Sequence, residues 1–153
     1  MANLWRDEYR LNLKIIDDQH KGFFELNDSL SQLLEKSEQG KVNLPKIIKV
    51  ILEFRAYALY HFHTEEKLML ANSYPGFFDH INQHNEYVRK ILDMEEDIFK
   101  TYHEININYL DPKILADKAR GINEYIVNWY VKHIMQADKQ YADHMSKKMA
   151  RKK

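Results

Sequence analysis

The scarcity of helix-breaking residues is the feature that most constrains the fold of this chain. Its 153 residues contain only 4 glycines and 3 prolines. The main breaks are Gly40 with Pro45, the run from Ser73 to Gly76, and Asp111 with Pro112. Between these breaks, apolar residues recur every three or four positions, which is the spacing of one face of an α-helix. So few turn residues exclude a turn-rich β-sandwich or barrel.

The spacing predicts an all-α protein of four helices. The first helix runs from about Asp17 to Gln39, the second begins near Asn43, the third follows Pro75, and the fourth runs from Pro112 toward Met149. Short links between amphipathic helices predict an up-down-up-down four-helix bundle. We expect a single domain, with an N-terminal arm over 1–16, the bundle over 17–149 and a basic tail over 150–153. The stretch 101–111 is expected to extend the third helix by a turn or two and then to form a loop.

Composition excludes several classes of partner and site. Lys plus Arg equals Asp plus Glu at 23 each, which argues against nucleic acid as a partner. The absence of cysteine excludes disulfides, thiolate zinc sites and iron–sulfur clusters. No apolar run has the length of a membrane span, and the N-terminus does not resemble a signal peptide. We therefore expect a cytoplasmic protein without membrane insertion.

Polar residues occupy positions on the apolar stripes where core residues belong. They are His20 in the first helix, His61 and Glu65 in the second, His80 and His84 in the third, and His133 in the fourth. An unpaired imidazole or carboxylate in a core is costly, so these groups need partners. A single inward histidine is usually a hydrogen-bonded core residue, and His61 with Glu65 could form a surface pair.

Considered together, these residues predict a metal centre. Each helix supplies at least one inward histidine, and Asp138 adds a second carboxylate. Asp138 lies five residues after His133, about 140° round an ideal helix, so it needs side-chain length, helix crossing or a π-type bulge to reach the same centre. Five imidazoles and two carboxylates exceed the four ligands of one zinc ion and indicate two bridged metal ions. Iron, manganese and zinc all suit such ligands.

The proportion of histidine to carboxylate among the candidate ligands indicates which chemistry the site favours. No histidine has a glutamate three residues before it, so the Glu-x-x-His motif of oxygen-activating di-iron bundles is missing. A site rich in histidine and poor in carboxylate favours the reduced metals and offers fewer groups that move protons. Reversible binding is therefore favoured over oxygen activation.

The residues resemble the hemerythrin family, in particular the single-domain bacteriohemerythrin type. The resemblance covers Trp5 to about Tyr141. It is carried by Ile16-Asp17-Asp18-Gln19-His20-Lys21, by the run from His61 to Met69, by Tyr74-Pro75 with His80 and His84, and by Trp129, His133-Ile134 and Asp138.

The resemblance implies a centre of two non-haem iron ions with an oxo or hydroxo bridge. One iron would be held by His80, His84 and His133, and the other by His20 and His61, with an open position for dioxygen. Glu65 and Asp138 would bridge the two irons. The residues matching the oxygen pocket of the family are Phe62, Met69, Trp129 and Ile134. Tyr130 departs from the family, which usually has leucine there, and a phenol at this position could hydrogen-bond the oxygen, admit water or point elsewhere.

The implied function is reversible dioxygen binding for storage, delivery or scavenging, without catalysis. The alternatives are an oxygen or redox sensor, which usually carries a signalling segment on the same chain, and a di-iron enzyme such as a peroxidase, oxidase or nitric-oxide-reducing centre. Expected partners are dioxygen and an oxygen-consuming client protein, and the expected state is a monomer or small homo-oligomer. The segment between His84 and His133 is long for the family, with extra residues around 98–117.

Overall fold

The computed structural model describes residues 4–151 and consists of helices. They are α1 (Lys14–Glu38), α2 (Leu44–Ala71), α3 (Phe77–Asn108), α4 (Lys113–His133), a π-helical segment (Ile134–Asp138) and α5 (Lys139–Arg151), preceded by a 3-10 turn at Asp7–Tyr9. No strand occurs in this part of the chain. The tail residues Lys152 and Lys153 and arm residues 1–3 lie outside the described residues.

The helices form the predicted four-helix bundle. α1 packs against α2 and α4, and α3 packs against the same two helices from the other side. The short links make successive helices antiparallel, because so few residues cannot carry the chain back along the bundle. The π-helical segment and α5 continue α4, so that the fourth position of the bundle is one long helical rod.

Local signals explain most helix ends. Gly40 follows α1 with a φ of +82°, a left-handed conformation that glycine adopts without strain. The Asn43 side chain accepts a hydrogen bond from the backbone N–H of Lys46 at 3.1 Å and caps α2, with Pro45 in the first turn. Asp111 accepts a bond from the N–H of Lys113 at 3.0 Å before α4.

The first helix begins three residues earlier than predicted. The Asp17 carboxylate accepts hydrogen bonds from the backbone N–H groups of Leu11 (2.8 Å) and Asn12 (3.0 Å). Asp17, which was predicted as the first residue of the helix, lies within the first turn of α1 and fixes the arm to it. The arm also packs through Trp5, whose ring meets Tyr9 at 5.8 Å and Phe24 at 6.0 Å between centroids.

The extra residues between the third and fourth helices lengthen the helices and leave a short loop, as expected for the stretch 101–111. α3 continues to Asn108, and only four residues separate it from α4. Ile98, Ile105 and Leu115 in this region are buried, so that the bundle core extends with the helices. None of the described helices is both long and apolar enough to span a membrane.

Candidate metal centre

The four helical rods bring the seven predicted ligand side chains to one place in the core. Each of them is at most 4 % exposed. They are His20 on α1, His61 and Glu65 on α2, His80 and His84 on α3, His133 at the end of α4, and Asp138 at the end of the π-helical segment. The surface-pair interpretation of His61 and Glu65 is therefore wrong.

Three histidines converge on one side of the two carboxylates. His80 Nε2 lies 3.1 Å from Glu65 Oε2 and 3.0 Å from Asp138 Oδ1. His84 Nε2 lies 3.2 Å from the same Glu65 oxygen, and His133 Nε2 lies 3.1 Å from the same Asp138 oxygen. We call His80, His84 and His133 the three-histidine group.

Two histidines converge on the other side. His61 Nε2 lies 2.8 Å and His20 Nε2 3.4 Å from Glu65 Oε1. His20 Nε2 also lies 3.1 Å from Asp138 Oδ2. We call His20 and His61 the two-histidine group. Each carboxylate thus gives one oxygen to each group, so Glu65 and Asp138 stand between two clusters of ligand atoms.

Both clusters have the composition and compactness of a metal site. Ligand atoms of Glu65 and the three-histidine group lie within 4.8 Å of one another, and so do those of Glu65, Asp138 and the two-histidine group. Two ligands at about 2.1 Å from one ion, on adjacent corners of an octahedron, are about 3.0 Å apart. The distances between nitrogen and oxygen atoms in both groups are close to this value.

Unsatisfied polar atoms show that the residues fit cations. Several buried nitrogen and oxygen atoms in the cluster have no hydrogen-bond partner, although they lie close to one another. They are Nε2 of His20, His61 and His84, Glu65 Oε1 and both carboxylate oxygens of Asp138. Short contacts without hydrogen-bond geometry are expected where lone pairs point at a common centre. A metal ion would satisfy atoms whose burial otherwise costs free energy.

The π-helical segment explains how Asp138 joins His133. In a π-turn the hydrogen bonds connect residues five apart, so residues i and i+5 come onto nearly the same side. The segment spans Ile134–Asp138, the five residues that follow His133. Of the three routes open from the sequence, the backbone therefore uses the wide turn.

The far nitrogen of His61 is oriented by a glutamine. The Thr64 hydroxyl donates to the carbonyl of Tyr60 at 3.1 Å and accepts from Gln19 Nε2 at 3.2 Å. Gln19 Oε1 therefore faces His61 Nδ1 at 2.8 Å and accepts a hydrogen bond from its N–H group. This bond leaves the lone pair of His61 on Nε2, which faces Glu65.

Gln19 is itself supported from the second helix. The Tyr57 hydroxyl donates to the backbone carbonyl of Gln19 at 2.7 Å. Gly22 makes room for this phenol, since a Cβ at that position would collide with the Tyr57 hydroxyl. Sequence patterns did not identify Tyr57 or Gly22, because neither belongs to the apolar stripe that carries the ligands.

Two members of the three-histidine group have similar supports. His133 Nδ1 lies 2.9 Å from Gln83 Oε1, and His84 Nδ1 lies 3.1 Å from Glu66 Oε2. Gln83 was missed by the sequence analysis, and its position beside His84 was the one available signal. His20 differs, because its Nδ1 is buried and has no hydrogen-bond partner.

Aromatic rings cover the histidines unequally. Phe62 stacks on His84 with ring centroids 3.9 Å apart, and Trp129 stacks on His133 at 4.4 Å. Tyr130 packs against Phe23 at 3.8 Å and lies 6.4 Å from His61. The Tyr130 hydroxyl is buried and has no hydrogen-bond partner. The two remaining residues matched to the oxygen pocket, Met69 and Ile134, are fully buried.

Protonation of the cluster follows from its two carboxylates. Burial opposes a charge on His20 and His80, but their contacts with Asp138 and Glu65 outweigh it and raise the pKa of each to about 9. Burial would likewise raise the pKa of Glu65 and Asp138, but the surrounding histidines hold both values well below their usual range. Burial lowers the pKa of His61. Without metal, protons on imidazoles thus balance the carboxylates.

The other histidines lie apart from the cluster. His63 and His103 are exposed, and His144 lies 3.1 Å from the carbonyl of Asn72 through Nε2. Lys148 donates to the same carbonyl at 2.8 Å. The basic residues near the C-terminus therefore help to close the end of α2.

Comparisons with known proteins agree with this geometry. Residues 11–144 match the family described as Hemerythrin HHE cation binding domain. A bacteriohemerythrin of Clostridium acetobutylicum is 27% identical over 140 residues, covering 92% of this chain and 98% of the relative. A hemerythrin of Themiste dyscrita is 23% identical, covering 90% of this chain and 88% of the relative.

Solved structures share the fold. A crystal structure of a hemerythrin in which a leucine is replaced by tyrosine has a TM-score of 0.70 and 24% identity, and the match covers 95% of this chain and 99% of the other. The family match spans most of the sequence and includes all seven clustered side chains. The chain therefore belongs to the hemerythrin family.

Proposed function

We propose that this protein binds dioxygen reversibly at two non-haem iron ions. The three-histidine group would hold one iron and the two-histidine group the other. Glu65 and Asp138 would be shared, with an oxo or hydroxo ion as the remaining bridge. The observation that carries the proposal is the division of each carboxylate, with one oxygen at 2.8–3.4 Å from each histidine group.

Two irons bound here would supply electrons to dioxygen when it binds and would recover them when it leaves, so that binding is reversible. The chain contributes the surroundings. The two-histidine group has one imidazole fewer, so it is the side where a ligand from outside can enter. Phe23, which borders His61, keeps this side apolar and excludes water, which slows oxidation of the oxygen complex. Tyr130 borders the same histidine and brings a buried hydroxyl to this side.

Relatives support carriage of oxygen over catalysis. The chain matches a protein named bacteriohemerythrin and one named hemerythrin over about nine-tenths of its length. We infer storage, delivery or scavenging of dioxygen as the function, with any peroxidase activity secondary to it. A cytoplasmic location, an oxygen-consuming client protein and a monomeric or small homo-oligomeric state stay predictions.

The test is anaerobic reconstitution with ferrous iron, followed by absorption spectra through repeated cycles of oxygen and vacuum. We expect two irons per chain and visible bands that appear with oxygen and disappear without it. His63→Ala is a matched control, because His63 is an exposed neighbour of His61, and it should behave as the unmodified protein. Bands that appear once and decay to a stable ferric form would overturn the proposal and favour a sensor or an enzyme.

A further inference from the structure

A continuous series of aromatic rings connects the three-histidine group to the surface. Trp129 stacks on His133 with an angle of 15° between the rings. Tyr87 lies 4.5 Å from Trp129, and Tyr125 lies 6.1 Å from Tyr87 at an angle of 14°. Tyr87 is fully buried, whereas Trp129 and Tyr125 are partly exposed. We call Trp129, Tyr87 and Tyr125 the aromatic path.

The composition of the path differs from that of the other rings at the centre. Phe62 on His84 and Phe23 near His61 are phenylalanines, which are much harder to oxidise than indoles or phenols. The chain has two tryptophans, and one of them is the ring stacked on a candidate ligand. Tyr130 lies 6.4 Å from His61, and Tyr141 and Tyr74 lie 6.3 and 6.5 Å from His80, so phenols also occur in other directions. Trp129 differs from them because it is an indole stacked on its histidine at 4.4 Å.

We propose that the aromatic path conducts single electrons from the protein surface to the metal centre when peroxide oxidises it. This inference rests on the proposed iron site. The path would protect the ligands, because an oxidising equivalent that leaves through Trp129 cannot attack a histidine.

The electron balance is complete with two small molecules. Reduction of one hydrogen peroxide to two waters takes up two electrons and two protons. For each electron, Trp129 is oxidised by the centre and reduced again from Tyr125, which also releases its phenolic proton to solvent. One ascorbate anion reduces two tyrosyl radicals by giving two electrons and one proton as it becomes dehydroascorbate, and the second proton is taken from solvent. Every bond of the aromatic residues is restored at the end.

The surroundings of each ring indicate its role in electron transfer along the aromatic path. The Tyr87 hydroxyl is buried beside the Tyr130 hydroxyl, neither makes a well-formed hydrogen bond, and burial holds the pKa of Tyr87 well above the usual value. Tyr87 has no base for its proton, so it connects the other two rings without holding a radical. Tyr125 is partly exposed and can lose its proton to water. Radicals should therefore be found on Trp129 and Tyr125.

The first experiment adds hydrogen peroxide to the iron-loaded protein and follows radicals by freeze-quench electron paramagnetic resonance. We expect a tyrosyl signal in the unmodified protein and an indole signal in Tyr125→Phe. Trp129→Phe should reduce the radical yield at least tenfold, and peptide mass spectrometry should then find added oxygen on the clustered histidines. Tyr102→Phe, a partly buried tyrosine elsewhere on α3, is the control and should change neither result.

Variants at Tyr87 separate conduction from packing. Tyr87→Phe keeps the ring, so the yield at Tyr125 should stay within about twofold of the unmodified protein. Tyr87→Leu removes the ring and should lower it at least fivefold. Equal yields in the leucine and phenylalanine variants, or an unchanged signal in Trp129→Phe, would overturn the proposal.

A second experiment tests the path without iron, so that its failure is distinct from failure of the oxygen-binding proposal. In metal-free Trp5→Phe protein, Trp129 is the one remaining indole. A flash-generated ruthenium(III) tris-bipyridine oxidises surface residues, and transient absorption follows the exchange between indole and phenoxyl radicals. We expect the absorption of the indole radical to decay as that of the phenoxyl radical rises. The rate of this exchange should be at least fivefold lower in Tyr87→Leu than in the Trp5→Phe protein. The same rate in that variant would contradict the path even if iron and oxygen bind as proposed.

Discussion

The two halves of the metal centre use the same ligand types but are held differently. In the three-histidine group, His84 and His133 each have a partner on Nδ1 and an aromatic ring stacked on one face. In the two-histidine group, His61 has one such partner, and His20 has none on Nδ1. The first half is fixed by many contacts, and the second has fewer ligands and fewer supports. A centre of this kind separates a permanent anchor from a position where a ligand can exchange.

Glu65→Gln should have the largest effect, because it removes a charge that both halves share. Leaving buried charges uncompensated costs about 3–5 kcal/mol, which corresponds to roughly 10²- to 10⁴-fold in metal affinity. We expect both metals to be lost together, as measured by metal analysis after gel filtration. Glu96→Gln, at an exposed position of α3, is the control and should retain metal. Retention of two metals by Glu65→Gln would show that the carboxylate is not shared.

His61→Ala removes one ligand from the two-histidine group, and His84→Ala removes one from the three-histidine group. His61→Ala leaves one imidazole on its side, so we expect one metal per chain, no visible oxygen band and an unchanged helical circular dichroism spectrum. His84→Ala leaves two imidazoles, so its metal should be weakened rather than lost. An unchanged two metals per chain in His61→Ala would refute the assignment of this histidine.

Gln19→Leu tests the hydrogen bond that supports His61 in the two-histidine group. Without the acceptor at Nδ1, His61 loses its orientation, and changes of this kind typically cost about 10- to 100-fold in metal affinity. Competitive titration with a chelator should show the loss at one of the two metals. Gln32→Leu, at an exposed position of α1, controls for the change of side chain. A loss spread equally over both metals would mean that Gln19 acts on the fold rather than on His61.

The stability of the metal-free protein should depend on pH in the direction set by His20 and His80. Their pKa is about 9 in the folded protein and near 6.5 when unfolded, so the folded form binds protons more tightly. Their contribution is fully present below about pH 6.5 and is lost as the pH rises through 9. Urea unfolding after chelation should show this fall. Metal-loaded protein should not show it, since metal replaces the protons.

Tyr130→Leu should have the smallest effect and acts on the two-histidine side. Replacing the phenol by the residue usual in the family removes a buried hydroxyl that has no partner. We expect slower oxidation of the oxygen complex, by a few fold, in stopped-flow absorption measurements. Tyr130→Phe isolates the hydroxyl from the ring. Equal rates in all three proteins would show that the hydroxyl does not face the bound oxygen.

Sequence periodicity predicted the bundle and the residues on its inward faces, and the physical reason is simple. His20, His61, Glu65, His80 and His84 lie on regular helices, where a spacing of three or four residues fixes the side they face. The position of Asp138 was harder to predict. A separation of five residues brings it to the same side as His133 in a π-turn, and the sequence alone is compatible with several backbone conformations. Gln83 was missed because an exposed amide is ordinary on a helix surface, and only the approach of α4 gives it a role.

The wide turn before Asp138 has a consequence for how the chain tolerates changes in length. A π-turn holds one residue more than an α-turn, so deleting one residue between His133 and Asp138 would restore a regular helix and leave the aspartate four positions after the histidine. The phase of α5 would stay the same, together with the contacts of His144 and Lys148 with the Asn72 carbonyl. The same deletion just after Asp138 would rotate the rest of α5 by about 100° and break those contacts. This chain should therefore tolerate a one-residue deletion before the aspartate better than the same deletion after it.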